Sequence, residues 1–318
     1  MLDAYDALLP PRVALAPTGD GPLTGRSFVV KDVLDVAGTV TGAGSPAVRA
    51  ARPPATRSAA VVDALLLAGA RCVGKARSDE LAFSLGGVNE RDGTPSNPRA
   101  PGHVTGGSSS GSAAAVAGGL ADIGLGTDTA GSIRVPASYC GLVGIRPTHG
   151  RVSVDGLLPL APGFDTVGWL TADGALARTV GVVLLDGHVD AQPPAALAMV
   201  ADLLPPDEAA TVTAASEAWA AALGVPLTSV VLGDADRWAH AFHVLRAAEA
   251  WEVHGDWLDT EHPDLSPAVD RRLRAGAAIT PDERATARRT REELLRRLDD
   301  ITPSGGALVV PASAVRAP

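Results

Sequence analysis

The stretch "GTDTAGSIRVPASYCG" occupies residues 126–141 and directly follows "VTGGSSSGSAAAVAGGLADIGL" at residues 104–125. Both stretches consist mainly of glycine, alanine and small hydroxyl residues, with hardly a bulky polar side chain between them. Residues 111–121 predict a helix of small residues, and "DIGLGTD" (122–128) predicts a buried strand. The short connections between these segments indicate one compact α/β sheet.

The N-terminal residues extend the same alternation. "RSFVVKDVLDV" (26–36) is rich in valine and predicts a strand with Lys31 in its middle. "RSAAVVDALLLAGA" (57–70) has helical periodicity and a glycine near its end, and "RCVGKA" (71–76) predicts the next strand. A further strand is predicted in "GLVGIRP" (141–147), so this half of the chain indicates βαβ-type packing.

The pattern changes in the proline-rich stretch "GHVDAQPPAALAMVADLLPPDE" (187–208). We therefore predict a core over residues 1–186 and a more helical lobe over residues 187–318 that covers the substrate side. Helical periodicity is found at residues 217–223, 236–258 and 281–300. The last stretch (305–318) predicts a strand entering a loop, which either joins the existing sheet or lacks the sequence that would pack on it.

Composition excludes several classes of protein. The chain has 318 residues, of which 46% are hydrophobic and 20% charged, and no apolar run is long enough to cross a bilayer. A net charge of −9 without a basic block argues against a nucleic-acid surface and favours a small or neutral partner. The opening "MLDAYDALLP" lacks the features of a secretory signal, and two cysteines make no disulfide framework, so a cytoplasmic location is expected.

Lysine is rare in this chain. Of 27 basic residues only Lys31 and Lys75 are lysines. Arginine keeps its proton in proteins, whereas a buried lysine can lose it, so a site that needs a neutral amine requires lysine. The aliphatic residues around Lys31 predict a lowered amine pKa. Two leftover surface lysines remain the alternative, and Lys75, beside Arg77 and Asp79, is expected to be solvated.

Two other interpretations of the glycine and serine cluster make different demands. A P-loop requires Gly-Lys-Ser/Thr, but no lysine lies within thirty residues of Ser108. "GSSSG" (107–111) matches a nucleophile elbow with Ser109 as nucleophile, but the preceding stretch contains two prolines and no strand pattern. The histidine of such an elbow would come from His103, His149, His188, His240, His243, His254 or His262.

A cysteine nucleophile of the nitrilase type is a further alternative. Cys140 precedes an apolar strand, and buried cysteine in such a setting is usually inert. We therefore expect Cys140 to be structural.

Lys31 in an apolar strand, "GGSSSGSAAAVA" (106–117) and "GTDTAGSIRVPASYCGLVGIRPTHGRVS" (126–153) together resemble the amidase signature family over nearly the whole chain. Ser108 and Ser132 are 24 residues apart, which fits the family's Ser-cisSer-Lys arrangement. The chain looks most similar to the short plant-type amidases that resemble indoleacetamide hydrolases, on the evidence of "VTGAGSP" (40–46), "FDTVGW" (164–169) and "HGDW" (254–257).

The resemblance implies a three-layer α/β/α fold with a large mixed, twisted sheet flanked by helices. It implies Ser132 as nucleophile, Ser108 as proton relay on a cis Gly107–Ser108 peptide, and Lys31 as base. Backbone N–H groups would face the developing oxyanion, and these belong to Thr129, Ala130, Gly131 and Ser132. The family usually has glycine where this chain has Ala130, so we expect a modest effect on the oxyanion site.

Ser109, Asp128 and Arg134 also fall on signature positions. They are expected to orient the loops through hydrogen bonds, although ordinary turn and cap roles explain them equally well. The implied reaction converts a primary carboxamide, with an aryl- or indole-acetamide as first candidate, and water to an acid and ammonia. It needs no metal or other cofactor, no nucleic acid and no membrane.

Two points stay open at this stage. The oligomeric state is undetermined, with a homodimer as one option. The family continues past the point where this chain stops, and the expected remainder would supply further sheet and part of the substrate pocket. A non-catalytic family member that acts as a binding module is therefore the alternative function.

Overall fold

The computed structural model describes residues 3–187 and 192–318, which form two compact units. The first unit comprises residues 3–187, 249–275 and 317–318, and the second comprises residues 192–248 and 276–316. Residues 249–275 thus group with the N-terminal part, which the predicted boundary between residues 186 and 187 did not anticipate. The role of residues 187–318 in covering the substrate side stays a prediction.

The strands and helices of the described residues follow one another along the chain without long gaps. The strands are β1 (Ser27–Lys31), β2 (Arg71–Ala76), β3 (Ile123–Thr127), β4 (Val143–Ile145), β5 (Val167–Thr171), β6 (Leu197–Val200), β7 (Leu227–Val230) and β8 (Ala307–Val309). The helices are α1 (Pro46–Ala51), α2 (Ala60–Leu67), α3 (Ser110–Ala117), α4 (Arg134–Tyr139), α5 (Gly174–Leu184), α6 (Ala209–Leu223), α7 (Ala235–Glu261), α8 (Pro267–Arg274) and α9 (Pro281–Ile301).

The sheet of the first unit is mixed. Its five strands lie in the order β2-β1-β3-β5-β4. β1 pairs in parallel with both β2 and β3, whereas β5 runs antiparallel to β3 and β4. The parallel pairs follow from the predicted βαβ alternation, since the chain crosses back through α1 and α2 between β1 and β2.

Helices cover both faces of this sheet. Phe28 and Val30 of β1 belong to the same hydrophobic cluster as Leu65 of α2. Val29 belongs instead to the cluster that contains Ala114 of α3. Successive side chains of a strand point to opposite faces, so α2 and α3 lie on opposite sides of the sheet. The predicted three-layer α/β/α fold, with a mixed sheet flanked by helices, is confirmed.

The strand around Lys31 is shorter than predicted. The pattern indicated a strand over residues 26–36, but β1 ends at Lys31. The N–H groups of Val33 and Leu34 both donate to the Lys31 carbonyl, at 2.8 and 3.0 Å, and turn the chain away from the sheet. Lys31 is therefore the last residue of β1 rather than its middle.

The second unit has its own parallel sheet. Its three strands lie in the order β7-β6-β8. The strand predicted near the C-terminus is β8, and it joins this sheet rather than the sheet of the first unit. The three helical stretches predicted in this half lie within α6, α7 and α9.

α3 packs very closely on β3 because β3 has no side chain at Gly124. A Cβ atom at this position would lie 2.9 Å from the Ser112 carbonyl oxygen and 3.1 Å from Ser112 Cβ. The Ser112 hydroxyl in turn donates to the Leu125 carbonyl at 2.8 Å. The small residues of both segments thus determine the spacing between helix and sheet.

We predict that Gly124→Ala lowers the free energy of unfolding by about 1–3 kcal/mol, because the added methyl group must displace α3. Urea denaturation followed by circular dichroism measures this change. Gly174→Ala is the matched control: a Cβ at Gly174 meets no atom within 4 Å. The control should unfold at the same urea concentration as the wild type or slightly above it. Equal destabilisation by both substitutions would contradict the close packing of α3 on β3.

Candidate active site

The candidate site lies where the carboxyl ends of two neighbouring parallel strands meet. Lys31 ends β1 and Thr127 ends β3. Lys31 is fully buried, and its Nζ lies 2.8 Å from Ser108 Oγ and 2.8 Å from Thr127 Oγ1. The structure therefore brings together two of the predicted site residues, Lys31 and Ser108, and adds Thr127, which the sequence did not single out.

The environment of Lys31 favours its neutral amine. Burial lowers the pKa of Lys31 to about 7, while the carboxylates of Asp79, Asp128 and Asp165 act in the opposite direction. An amine with this pKa is partly neutral at neutral pH. It can therefore accept a proton from the Ser108 hydroxyl.

Ser108 lies on the loop that leads into α3. It is fully buried, and the Gly107–Ser108 peptide bond is cis, as the resemblance implies. The Ser108 carbonyl accepts a hydrogen bond from the Asp79 N–H at 3.2 Å. The loop is therefore anchored at Ser108 from both sides, through its hydroxyl and through its carbonyl.

Ser132 lies on the loop between β3 and α4 and is 3% exposed. Its carbonyl accepts a hydrogen bond from the Ser109 N–H at 3.3 Å, which joins the two serine loops. In the part of the chain that the structure describes, the Ser132 hydroxyl makes no hydrogen bond, so its predicted contact with Ser108 is not formed. Such contacts are often long without substrate and tighten when it binds.

The loop of residues 128–133 folds around the buried carboxylate of Asp128. This carboxylate accepts hydrogen bonds from the N–H of Ile133 at 3.2 Å and from the Arg134 guanidinium at 2.9 and 2.9 Å. Burial by itself raises the pKa of Asp128, but the Arg134 hydrogen bonds outweigh it and hold that pKa below its usual range. Asp128 and Arg134 thus shape this loop, as predicted.

The backbone N–H groups predicted to face the oxyanion share one property. Within residues 3–187 and 192–318, none of them donates a hydrogen bond to the protein; they belong to Thr129, Ala130, Gly131 and Ser132. Ala130 is not among the residues with positive φ. Alanine in place of the family glycine therefore imposes no left-handed strain on the loop.

Ser109 connects α3 to β3. It is fully buried, and its hydroxyl donates to the Thr127 carbonyl at 3.2 Å. The elbow interpretation is wrong, because no strand precedes Ser109 directly: β2 ends at Ala76 and a long loop follows. Within the described residues no histidine hydrogen-bonds to Ser109, and one predicted candidate, His188, lies outside them.

Sequence reasoning missed two carboxylates next to the site. Asp165 is buried and accepts a hydrogen bond from the Thr129 hydroxyl at 2.6 Å, which secures the oxyanion loop. It lies in "FDTVGW", which served only to mark a resemblance. Asp79 was regarded as a neighbour of Lys75, and no local pattern connects it with Lys31.

The prediction for Lys75 was wrong. Its side chain is buried, and its Nζ forms an ion pair with Asp32 at 2.8 Å and donates to Thr41 Oγ1 at 3.1 Å. Asp32 comes from the turn after β1 and could not be paired with Lys75 from spacing alone. Cys140 is a buried free thiol whose pKa burial raises to about 12, as expected of an inert residue.

Comparisons with known proteins agree with this geometry. The Amidase family model matches residues 12–181. Amidase 1 of Oryza sativa subsp. japonica is 51% identical over 178 residues, which are 56% of this chain and 40% of that protein. Amidase 1 of Arabidopsis thaliana is 35% identical over 338 residues, covering 94% of this chain and 80% of that protein. A crystal structure of an amidase has a TM-score of 0.84 and 32% identity, covering 94% of this chain and 69% of the other.

The chain belongs to the amidase family, whose members act on C–N bonds. It spans less than half of the rice relative and most of the Arabidopsis one. A pea relative named translocon at the outer membrane of chloroplasts 64 is 32% identical over 96% of this chain and 57% of its own length. In the described part, no helix is both long and apolar enough to cross a membrane. The cytoplasmic location stays a prediction.

We predict that Arg134→Ala lowers the free energy of unfolding by about 1–3 kcal/mol, because Asp128 would stay buried with only Arg146 as cationic partner. Chemical denaturation measures the change. The matched control is Arg57→Ala, since Arg57 and Asp155 form an ion pair in which the side chains are 76% and 55% exposed. Its effect should stay within about 0.5 kcal/mol. Equal effects of the two variants would refute the role of Asp128 in holding the loop.

Proposed function

We propose that this chain hydrolyses a primary carboxamide to a carboxylic acid and ammonia through an acyl-Ser132 intermediate. The observation that carries the proposal is the fully buried Lys31, whose Nζ lies 2.8 Å from Ser108 Oγ. A lysine without water and with a lowered pKa is a base, and a serine hydroxyl is its only route to a second serine. Membership of the amidase family supports the same reaction class.

Acylation begins when Ser132 Oγ attacks the amide carbon. The Ser132 proton passes to Ser108, and the Ser108 proton passes to the Lys31 amine, which becomes an ammonium. The carbonyl oxygen becomes an oxyanion that the unpaired N–H groups of the 128–133 loop stabilise. The C–N bond then breaks, and the proton returns through Ser108 to the departing nitrogen, which leaves as ammonia.

Deacylation repeats the relay with water. A water molecule attacks the acyl carbon while Ser108 and Lys31 take its proton, and the acid leaves as the Ser132 hydroxyl is restored. Every proton stays within the relay, and each step uses side chains and backbone of this chain, an amide and water.

The substrate is proposed to be a small amide with an apolar acyl group, with aryl- and indole-acetamides as first candidates. A cavity of about 670 Å³ adjoins the site through Asp165, which accepts the Thr129 hydrogen bond. Val152, Leu157 and Pro159 contribute apolar parts of its wall. The named function of the relatives, amidase, fits this class of substrate.

We predict that Ser132→Ala lowers kcat/KM for the best amide by at least about 10³-fold, because the nucleophile is lost. Lys31→Met should lose as much, because its side chain accepts no proton. Ser138→Ala is the matched control, since Ser138 is an exposed serine on α4, and it should keep full activity. Ammonia release measures all three, and an active Ser132→Ala variant would refute the acyl-serine mechanism.

We predict that kcat/KM rises with pH through about 7, the pKa to which burial lowers Lys31. Below this pH the amine is protonated and cannot accept the Ser108 proton, so activity should fall about tenfold per unit of pH. Initial rates at half-unit intervals from pH 5 to 9 measure the profile. A profile that is flat between pH 6 and 8 would contradict the role of Lys31 as base.

A panel of amides assayed for ammonia release, together with fluorophosphonate labelling, tests the function as a whole. We expect labelling of Ser132 and turnover of at least one arylacetamide. A folded chain that binds amides but neither reacts with the fluorophosphonate nor releases ammonia would favour the alternative of a binding module.

A further inference from the structure

Asp79 is a buried carboxyl group without a full set of partners. The residue is fully buried, and its Oδ2 accepts a hydrogen bond from the Gly87 N–H at 3.0 Å. Among the described residues, Oδ1 accepts no hydrogen bond although the atom is inaccessible to solvent. Buried polar atoms are almost always paired, so an unpaired carboxylate oxygen needs an explanation.

The Asp79 carboxylate packs directly on the loop that carries Ser108. A Cβ atom at Gly107 would lie 2.2 Å from Asp79 Oδ2 and 2.5 Å from Oδ1, so only glycine fits there. The Asp79 N–H donates to the Ser108 carbonyl at 3.2 Å. Asp79 therefore touches the peptide on which the proton relay is built.

Asp79 also differs from the other carboxylates that act on Lys31. Asp128 is balanced by the guanidinium groups of Arg134, at 2.9 Å, and Arg146, at 3.4 Å. Asp165 accepts hydrogen bonds from the Thr129 hydroxyl and from the N–H groups of Leu160 and Ala161.

In the described part of the chain, Asp79 forms no ion pair. Of the three carboxylates it is the first named contributor that raises the pKa of Lys31. Its negative charge is therefore the one that no other cation offsets.

We propose that Asp79 is a positioning residue for the lysine base: its carboxylate stabilises the ammonium form of Lys31, and its packing on Gly107 keeps Ser108 within reach of the amine. This inference rests on the proposed function, because it assigns Asp79 a role in the same relay. Asp79 takes no proton in the reaction. The proton moves from Ser108 to Lys31 and back, and Asp79 acts through its charge and its contacts.

The two groups should influence each other's titration. Burial raises the pKa of Asp79 to about 6, close to the pKa of about 7 to which burial lowers Lys31. When two interacting groups titrate so close together, the protonation of one shifts the other. An electrostatic role of Asp79 thus has a signature that a purely structural role does not have.

The chain offers a direct measurement, because Lys31 and Lys75 are its only lysines. Labelling with ¹³Cε-lysine gives two NMR signals, and Lys31→Met assigns them by the loss of one. In the wild-type protein the Lys31 signal should show a main inflection near pH 7 and a second, smaller one near pH 6. A single inflection would overturn the proposal, and this experiment needs no substrate and no variant of Asp79.

Variants of Asp79 then separate charge from packing. In Asp79→Asn, which keeps the shape and loses the charge, the Lys31 inflection should move to lower pH by about one unit. The acidic limb of kcat/KM should move with it, and kcat should fall about tenfold because Lys31 becomes a weaker base. Asp79→Glu keeps the charge, so the Lys31 inflection should stay near that of the wild type, while crowding of Gly107 lowers kcat.

Asp92→Asn is the matched control, since Asp92 is an almost buried carboxylate whose partner is Arg49 at 2.7 Å; it should leave the Lys31 inflection in place. A folded Asp79→Asn protein with an unmoved Lys31 inflection overturns the inference. Absence of turnover with any amide, combined with the expected shift of the Lys31 signal, instead overturns the proposed function and leaves the electrostatic role of Asp79 standing.

Discussion

An amine held without water at the end of a strand is the constraint on which the rest of the site depends. Burial disfavours the ammonium form of Lys31, because a charge loses its hydration in a medium of low polarity. The hydroxyls of Ser108 and Thr127, both at 2.8 Å, can serve the neutral amine as well as the charged one. Nearby carboxylates keep the pKa of Lys31 near 7 instead of letting burial lower it further. Burial and the field of the carboxylates therefore leave the amine able both to accept and to return a proton.

The small residues around this amine do two physical jobs. Gly124 and the serines of α3 let the helix approach β3 closely, and hydrogen bonds from Ser109 and Ser112 to carbonyls of β3 fasten the two elements together. Ser108 precedes these serines directly, so its distance to Lys31 is fixed by the packing of helix on strand rather than by the loop alone. The loop of residues 128–133 is tied down separately, through Asp128, and its N–H groups stay available because its side chains are small.

Much of the fold could be predicted because its signals are local. Alternation in β1, helical periodicity in α2 and the small-residue helix α3 each follow from short windows of sequence, and all three were predicted as elements of the correct type. The end of β1 was missed because hydrogen bonds to the Lys31 carbonyl, and not a change in hydrophobicity, stop the strand. Residues 249–275 were placed with the wrong part of the chain, since a long helix carries no mark at the point where its packing partner changes.

The sequence by itself determined the chemical identity of the site. The rarity of lysine, the aliphatic residues around Lys31 and the spacing of the serine motifs pointed to Lys31, Ser108 and Ser132 before any contact was known. Only the tertiary structure decided which acidic residues surround that lysine and that Lys75 is a buried ion-pair partner of Asp32. Electrostatic partners come from segments far apart in the chain, and charge acts through distance in space. Sequence spacing cannot show that distance, because it depends on how helix and sheet pack.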